Sequence, residues 1–170
     1  MWPKAPLKPV DPHQRLVELA AFLVEQKVRE IVPNKGKWVE AFQKAVDGKA
    51  QGEPWCMSMV WALLNWVATE TGKVSPLYRS EHCQTVWKHS PMHLRDGLPR
   101  AGSLMLWEKI GTFNGHVGII ERVEHDIIHT IEGNVSENQQ EGVFRKQRTV
   151  NDMGSYRLLG FLRPWDSSMA

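Results

Sequence analysis

Apolar residues in the first half of the chain recur every three or four positions, which is the period of an α-helix. The periodic stretches begin or end at residues that cap or interrupt helices, such as Asp11 and Gly72. The pattern predicts helices over residues 11–30, 38–45, 54–71 and 80–88.

After Pro99 the pattern changes to short runs in which apolar and polar residues partly alternate, separated by Gly, Asn and Asp. Such runs are typical of β-strands. Five strands are predicted, over residues 103–108, 115–123, 127–133, 144–150 and 156–163. Helices followed by an antiparallel sheet define an α+β domain, so we expect N-terminal helices packed on a C-terminal sheet of about five strands.

Length and composition are those of an ordinary globular domain. The 170 residues are 42% hydrophobic and 24% charged, which is enough for one hydrophobic core. We expect a proline-rich N-terminal arm over residues 1–10 and a single domain over residues 11–166. A net charge of +2 is too small to indicate nucleic-acid binding. Apolar runs stay well short of the roughly 18 residues that a membrane-spanning helix needs, so membrane insertion is not expected.

The N-terminal segment lacks the apolar stretch of a secretory signal peptide, so we expect synthesis in the cytoplasm without one. Two cysteines, Cys56 and Cys83, are too few for a disulfide framework, and free thiols are expected, although the sequence leaves a single bridge open. Most of the eight tryptophans are expected to be large core residues.

Cys56 is the first candidate for chemistry. It follows Pro54 by two residues, where a long apolar helix is expected to begin, and so it should lie in the first helical turn. Free backbone N–H groups and the helix dipole stabilise negative charge there, which lowers the pKa of a cysteine thiol. A cysteine beside Trp55 and Met57 is usually a core residue, so the assignment depends on finding a base and a group that orients it.

A base and an orienting group occur in the predicted hairpin of residues 115–133. If its turn is centred near residue 124 or 125, His116 lies opposite Glu132, Gly133 or Asn134. Glu132 and Asn134 are two positions apart, so they are expected on the same face of their strand. That face can hold His116 beside a carboxylate and an amide, which orients an imidazole and fixes its tautomer. Three glycines nearby are typical of a close backbone or ligand approach: Gly115, Gly118 and Gly133.

The order of cysteine, histidine and polar residue is that of papain-like thiol hydrolases. Several segments of the chain resemble the CHAP domain family, the cysteine- and histidine-dependent amidohydrolases/peptidases. The nucleophile segment Gly-Glu-Pro-Trp-Cys56 with Val60-Trp61, the histidine strand Gly-His116-Val-Gly-Ile-Ile and the orienting strand Thr-Ile-Glu132-Gly-Asn carry the resemblance. Residues 101–107 and 158–164 resemble the strand before the histidine and the final strand. The resemblance spans about residues 20 to 165.

This resemblance implies a papain-like fold and hydrolysis of an amide bond in bacterial peptidoglycan. The bond is either that between N-acetylmuramic acid and L-alanine or a peptide bond of the stem or crossbridge. The resemblance assigns Cys56 as the nucleophile, His116 as the base and Glu132 as the residue that orients the histidine. Asn134 is implied as an auxiliary polar residue of the cleft.

The chain departs from the family pattern in two places. Many family members have a polar residue directly before the cysteine, where this chain has Trp55. The Cys56 backbone N–H is then one donor of the oxyanion hole, and Gln51 is the candidate for the second. Some members bind calcium through an aspartate-rich loop, but residues 49–53 offer one carboxylate, so a calcium site and other cofactors are not expected.

Three alternatives differ in chemistry. A zinc site is disfavoured because Pro91 lies between His89 and His93, and the chain has no Cys-x-x-Cys pair. A papain-like cysteine protease or acyl transferase acting on proteins keeps the fold and changes the substrate. A catalytically silent wall-binding module would leave Cys56 unreactive.

For a peptidoglycan hydrolase without a signal peptide, two biological settings are expected. One is a phage endolysin released by a holin, and the other is an antibacterial effector delivered to the cell wall by a secretion system. An effector requires a cognate immunity protein. A monomer is expected in either setting.

Overall fold

The computed structural model describes residues 3–4 and 10–166. Most of the predicted arm at residues 1–10 therefore lies outside the described residues, and that prediction stays untested. The described part is an α+β fold in which helices precede an antiparallel sheet, as the hydrophobic pattern predicted.

Four helices form the N-terminal half: α1 (Pro12–Glu25), α2 (Lys37–Asp47), α3 (Cys56–Thr71) and α4 (Cys83–His89). The side chain of Asp11 caps α1 by accepting from the N–H groups of His13 and Gln14. Gly48 and Gly72 end α2 and α3 in the left-handed conformation that glycine adopts without strain.

The first helix is shorter than predicted, and residues 28–30 are extended. Lys27 has a φ of 51°, which ends the helix, and the chain then runs beside the last hairpin of the sheet. Val28 accepts a hydrogen bond from the N–H of Val143 at 3.1 Å, and the N–H of Glu30 donates to Glu141 at 3.0 Å. The prediction of helix up to residue 30 was wrong because this long-range pairing leaves no signal in local periodicity.

The sheet has six strands: β1 (Arg95–Asp96), β2 (Leu104–Lys109), β3 (Gly115–Glu124), β4 (Ile127–Glu137), β5 (Gln140–Arg148) and β6 (Tyr156–Leu162). Their order across the sheet is β1-β6-β2-β3-β4-β5, and every neighbouring pair is antiparallel. The two-residue β1 is the strand that the pattern did not predict. Strands β3 and β4 form the hairpin that was predicted to carry the histidine and its partner.

Helix α3 lies in the core and packs against α1, α2 and strands β3 and β4, while α1 and α4 also contact the sheet. Its apolar residues are fully or almost fully buried, among them Met59, Leu63 and Val67. A second, smaller apolar cluster includes Trp107 and Ile120 on neighbouring strands of the sheet. The seven tryptophans among the described residues are buried or partly buried, in line with the prediction that they are mainly core. None of the helices in the described ranges has the length and apolar character needed to cross a membrane.

Candidate active site

Cys56 is the first residue of α3, and the N–H groups of this turn have no acceptors inside the helix. Its side chain faces a pocket of about 70 Å³, and the residue keeps 6% of its surface exposed. Pro54 lies just outside the helix rather than in its first turn, because Trp55 is the capping residue. The pocket is closed by the start of α4 and by the loop before β3, and its walls include Glu53, Glu81, Cys83, Phe113 and Gly115.

Trp55, directly before the nucleophile candidate, fixes the start of α3 against the sheet. The residue is completely buried, and its indole N–H donates to Glu30 Oε1 at 2.6 Å. Its ring packs over Gly133, where an added Cβ would lie 2.7 Å from the tryptophan Cζ3. A hydrophobic contact thus sets the distance between the Cys56 turn and strand β4.

His116, on β3, forms the contact that the sequence predicted with Glu132 on β4. Its Nε2 lies 2.7 Å from Glu132 Oε2, and the Glu132 side chain is fully buried. Since an ionised carboxylate only accepts hydrogen bonds, Nε2 carries the proton and Nδ1 is left for Cys56. The imidazole also stacks on Trp107 with ring centroids 5.8 Å apart and an interplanar angle of 28°.

Glu132 is held by two further side chains that sequence reasoning missed. Arg148, on β5, donates from Nε and Nη2 to the two carboxylate oxygens at 2.8 and 2.6 Å. The hydroxyl of Thr130 donates to Glu132 Oε1 at 2.6 Å. Ile128 pairs with Arg148 in the β4–β5 register, and this places Arg148 on the face of Glu132. A register assigned to this second hairpin would have revealed Arg148.

The pKa values of the two buried ionisable groups follow from these contacts. Burial raises the pKa of Glu132, but the bonds from Arg148 and His116 outweigh it and bring the pKa to about 2. Burial lowers the pKa of His116, but its interactions with Cys56 and Glu132 outweigh it and raise the pKa to about 9. At neutral pH the carboxylate is therefore ionised and the imidazole is protonated.

The thiols of Cys56 and Cys83 are both free, and their sulfur atoms lie 3.9 Å apart. The hydrogen bond from Cys83 is the main reason why the pKa of Cys56 is well below its usual value; burial opposes it, and His116 adds to it. The pKa of Cys83 is raised well above its usual value, because it shares that hydrogen bond and is buried. Of the two thiols, Cys56 therefore has the lower pKa and Cys83 the higher pKa.

Two predicted site residues are not brought into this constellation. Asn134 has a φ of 58° and lies at a β-bulge between Glu132 and Val135, which breaks the alternation on which its placement rested. In residues 10–166, Asn134 makes no side-chain hydrogen bond to His116. Gln51 lines a separate pocket beside α2, and its N–H donates to Glu53 Oε2 at 2.7 Å. The catalytic roles of both residues stay predictions.

Three glycines allow the close packing around the site. An added Cβ at Gly118 would lie 3.0 Å from Glu132 Cγ, and one at Gly115 would lie 2.9 Å from Cys83 Cβ. Gly118 and Gly133 therefore serve the packing of Glu132 and Trp55, while Gly115 also lines the pocket. Within the described part of the chain, three or more His, Cys, Asp or Glu side chains are nowhere grouped so that they could hold a metal ion.

A cysteine with a lowered pKa at a helix start, an imidazole and a buried carboxylate behind it form the kind of site found in thiol hydrolases. A family model described as the CHAP domain matches residues 48–134, just over half of the chain, and includes Cys56, His116 and Glu132. The chain belongs to the CHAP family, whose members are typically cysteine- and histidine-dependent amidases and peptidases of peptidoglycan. A comparison of the chain with curated proteins found no match.

Proposed function

We propose that this protein is a peptidoglycan hydrolase that cleaves an amide bond by a Cys–His–Glu thiol mechanism. The observation that carries the proposal is the 2.7 Å bond between His116 Nε2 and Glu132 Oε2, behind a cysteine at a helix start. The family supplies the substrate class, because CHAP domains are associated with peptidoglycan.

In the proposed resting state, Cys56 is a thiolate and His116 is an imidazolium. The lowered pKa of Cys56 and the His116 pKa of about 9 support this state at neutral pH. Glu132 stabilises the positive charge on the ring and fixes its orientation. The nucleophile is therefore charged before the substrate binds, and no proton has to leave sulfur during the attack.

Hydrolysis then proceeds in two stages. The Cys56 sulfur attacks the amide carbonyl, and the free backbone N–H groups at the start of α3 stabilise the oxyanion. His116 donates its Nδ1 proton to the leaving amine, which leaves a thioester on Cys56. Neutral His116 next takes a proton from water, the resulting hydroxide attacks the thioester, and the thiolate and imidazolium are restored.

Two substrate bonds suit this chemistry equally, because both present an amide carbonyl. One is the bond between N-acetylmuramic acid and L-alanine, and the other is a peptide bond of the stem or crossbridge. We propose that a monomer acts at the bacterial cell wall, either as a phage endolysin after holin release or as an antibacterial effector delivered by a secretion system. In the second setting a cognate immunity protein would protect the producing cell.

The test is mass spectrometry of the soluble products after purified peptidoglycan is incubated with the wild type or with Cys56→Ala. Free stem peptides beside intact glycan identify an amidase, and shortened or uncrosslinked muropeptides identify an endopeptidase. Equal products from the wild type and Cys56→Ala would overturn the mechanism. Products from casein but none from peptidoglycan would instead favour a protease of the same fold.

A matched pair of histidine variants separates chemistry from folding. His116→Ala should lose turnover while keeping the fold. His129→Ala removes a histidine from the same sheet that is also bonded to a glutamate, with Nε2 3.0 Å from Glu124 Oε2, but it lies outside the pocket. We expect His129→Ala to keep turnover close to that of the wild type.

A further inference from the structure

Cys83 is a second thiol in the pocket, and it forms no bond to the substrate in the proposed hydrolysis. It is the first residue of α4, keeps 2% of its surface exposed and lines the same pocket as Cys56. The two sulfur atoms are 3.9 Å apart, although 27 positions separate the residues in the chain. The packing of α3 and α4 has therefore placed a second thiol beside the nucleophile candidate.

This proximity depends on a glycine at the start of the histidine strand. An added Cβ at Gly115 would lie 2.6 Å from the Trp107 carbonyl oxygen and 2.9 Å from Cys83 Cβ. Any larger residue would push Cys83 or the strand away. Gly115 thus lets β3 approach α4 closely enough for Cys83 to remain against Cys56.

We propose that Cys56 and Cys83 form a site of reversible oxidation by hydroperoxides, in which Cys83 converts the oxidised nucleophile into an intramolecular disulfide. The formation of this disulfide is independent of the substrate. Its consequence, that hydrolysis stops until the bond is reduced, rests on the proposed function.

The first step consumes one hydroperoxide. The Cys56 thiolate attacks one peroxide oxygen and the O–O bond breaks, which gives a sulfenic acid on Cys56 and a hydroxide ion from hydrogen peroxide. His116 protonates the hydroxide to water. The lowered pKa of Cys56 supports this step, because the thiolate is the reacting form.

The second step joins the two sulfurs. Cys83 loses its proton, its sulfur attacks the Cys56 sulfur and the S–O bond breaks; the departing hydroxide takes up the proton and leaves as water. The two thiols together lose two electrons and the peroxide gains them. A small-molecule dithiol reverses the reaction by thiol–disulfide exchange.

Distance and space both suit these steps. A disulfide has an S–S length of about 2.05 Å, so the 3.9 Å gap has to shorten by roughly 2 Å, which is within the reach of side-chain rotation. The pocket volume of about 70 Å³ exceeds what a water molecule needs, so hydrogen peroxide fits beside Cys56. An intramolecular partner at this distance also has a high effective concentration relative to a second protein molecule.

The test treats the full chain with hydrogen peroxide and maps its peptides by mass spectrometry without reduction. We expect a crosslinked pair of peptides that carry Cys56 and Cys83, and the loss of both titratable thiols. Peptidoglycan hydrolysis should fall at least tenfold and return after dithiothreitol. Cys83→Ser and Cys83→Ala, each compared with its own untreated activity, should instead accumulate sulfinic and sulfonic acid on Cys56 and should not recover.

The oxidation site and the hydrolase function can fail independently in this experiment. A crosslink in a protein that never hydrolyses peptidoglycan would support the oxidation site and overturn the hydrolase. Overoxidised Cys56 beside a free Cys83 thiol, or disulfides only between molecules, would overturn the oxidation site. Equal recovery of peptidoglycan hydrolysis by the wild type and both Cys83 variants after reduction would also overturn the oxidation site.

Discussion

Arg148 donates to both oxygens of Glu132, at 2.8 and 2.6 Å, so the carboxylate that contacts His116 is itself bound at each end. Arg148 also lies over Trp107, with its guanidinium carbon 5.7 Å from the ring centroid, and Trp107 stacks on His116. Arg148 thus contacts both neighbours of His116, the carboxylate of Glu132 and the ring of Trp107. A planar guanidinium suits this arrangement better than an ammonium group, because it can bind a carboxylate at both oxygens.

Arg148→Gln should lower kcat by about ten- to a hundredfold, since hydrogen bonds to charged groups contribute about 1.5–3 kcal/mol. The low-pH limb of the activity profile should move to higher pH, because the pKa of Glu132 rises without the guanidinium. Arg148→Lys should restore part of the activity. The measurement is kcat on solubilised peptidoglycan across pH.

Arg145→Gln is the matched control, because Arg145 lies on the same strand and binds Glu121 in the same two-point manner at the surface. We expect it to leave kcat and the pH profile unchanged. An equal loss in both variants, or an unmoved profile in Arg148→Gln, would show that Arg148 only stabilises the sheet.

The activity should fall above pH about 9, because His116 has a pKa of about 9 and must be protonated to release the amine.

Alkylation by iodoacetamide should already be fast at neutral pH, since the pKa of Cys56 is well below its usual value. Cys83→Ala removes the hydrogen bond that contributes most to this lowering, so the alkylation profile should shift to higher pH. Glutathione alkylated in parallel provides the unperturbed thiol, and a wild-type profile that coincides with that of glutathione would contradict the thiolate state.

The free energy of unfolding should decrease as the pH falls from about 4.5 towards 2, because the pKa of Glu132 is about 2 in the folded protein against an ordinary value of 4.5. In that interval the unfolded chain binds more protons than the folded chain at this position. Glu132→Gln should flatten this part of the curve, measured by urea denaturation at each pH. Glu121→Gln, which removes a carboxylate paired with exposed Arg145, is the control. A wild-type slope retained in Glu132→Gln would contradict the assignment.

Gly133→Ala should destabilise the fold by about 1–3 kcal/mol, the usual cost of adding volume to a packed core. The new Cβ would lie 2.7 Å from Trp55 Cζ3 and 2.8 Å from Met59 Sδ. Because Trp55 precedes Cys56, kcat should fall as well. An added Cβ at Gly97 would meet no atom within 4 Å, so Gly97→Ala is the control. It should leave the free energy of unfolding, measured by urea denaturation, and kcat, measured by turnover assays, unchanged. Equal stability of the two variants would show that Trp55 can move aside.

The sequence was sufficient to predict the parts of the site that depend on local structure or on one hairpin. The position of Cys56 follows from the break at Pro54 and the apolar run after it. The hairpin register placed His116 near Glu132, Gly133 or Asn134, and the family resemblance selected Glu132 among them. Arg148 was missed because it enters through a second hairpin whose register was not assigned. Asn134 was placed by strict alternation, and the bulge that interrupts alternation has no signature in a single sequence.

The proximity of Cys83 to Cys56 could not be predicted from local pattern either. It depends on the docking of a seven-residue helix against β2 and β3, and Gly115 leaves room for this close approach. Most helix and strand bounds, by contrast, follow from periodicity, because they are fixed by which face of each element is buried.

The extended segment after α1 also has a consequence for how the molecule behaves at high concentration. Exposed sheet edges are templates onto which another chain can add a strand, and this is a common route to aggregation. One edge of this sheet is β1, only two residues long, and the other, β5, is partly occupied by residues 28–30. That occupation requires Gly142, where an added Cβ would lie 2.4 Å from the Val28 carbonyl oxygen. A single glycine on β5 therefore allows residues 28–30 to cover part of an edge that could otherwise accept a strand from another chain.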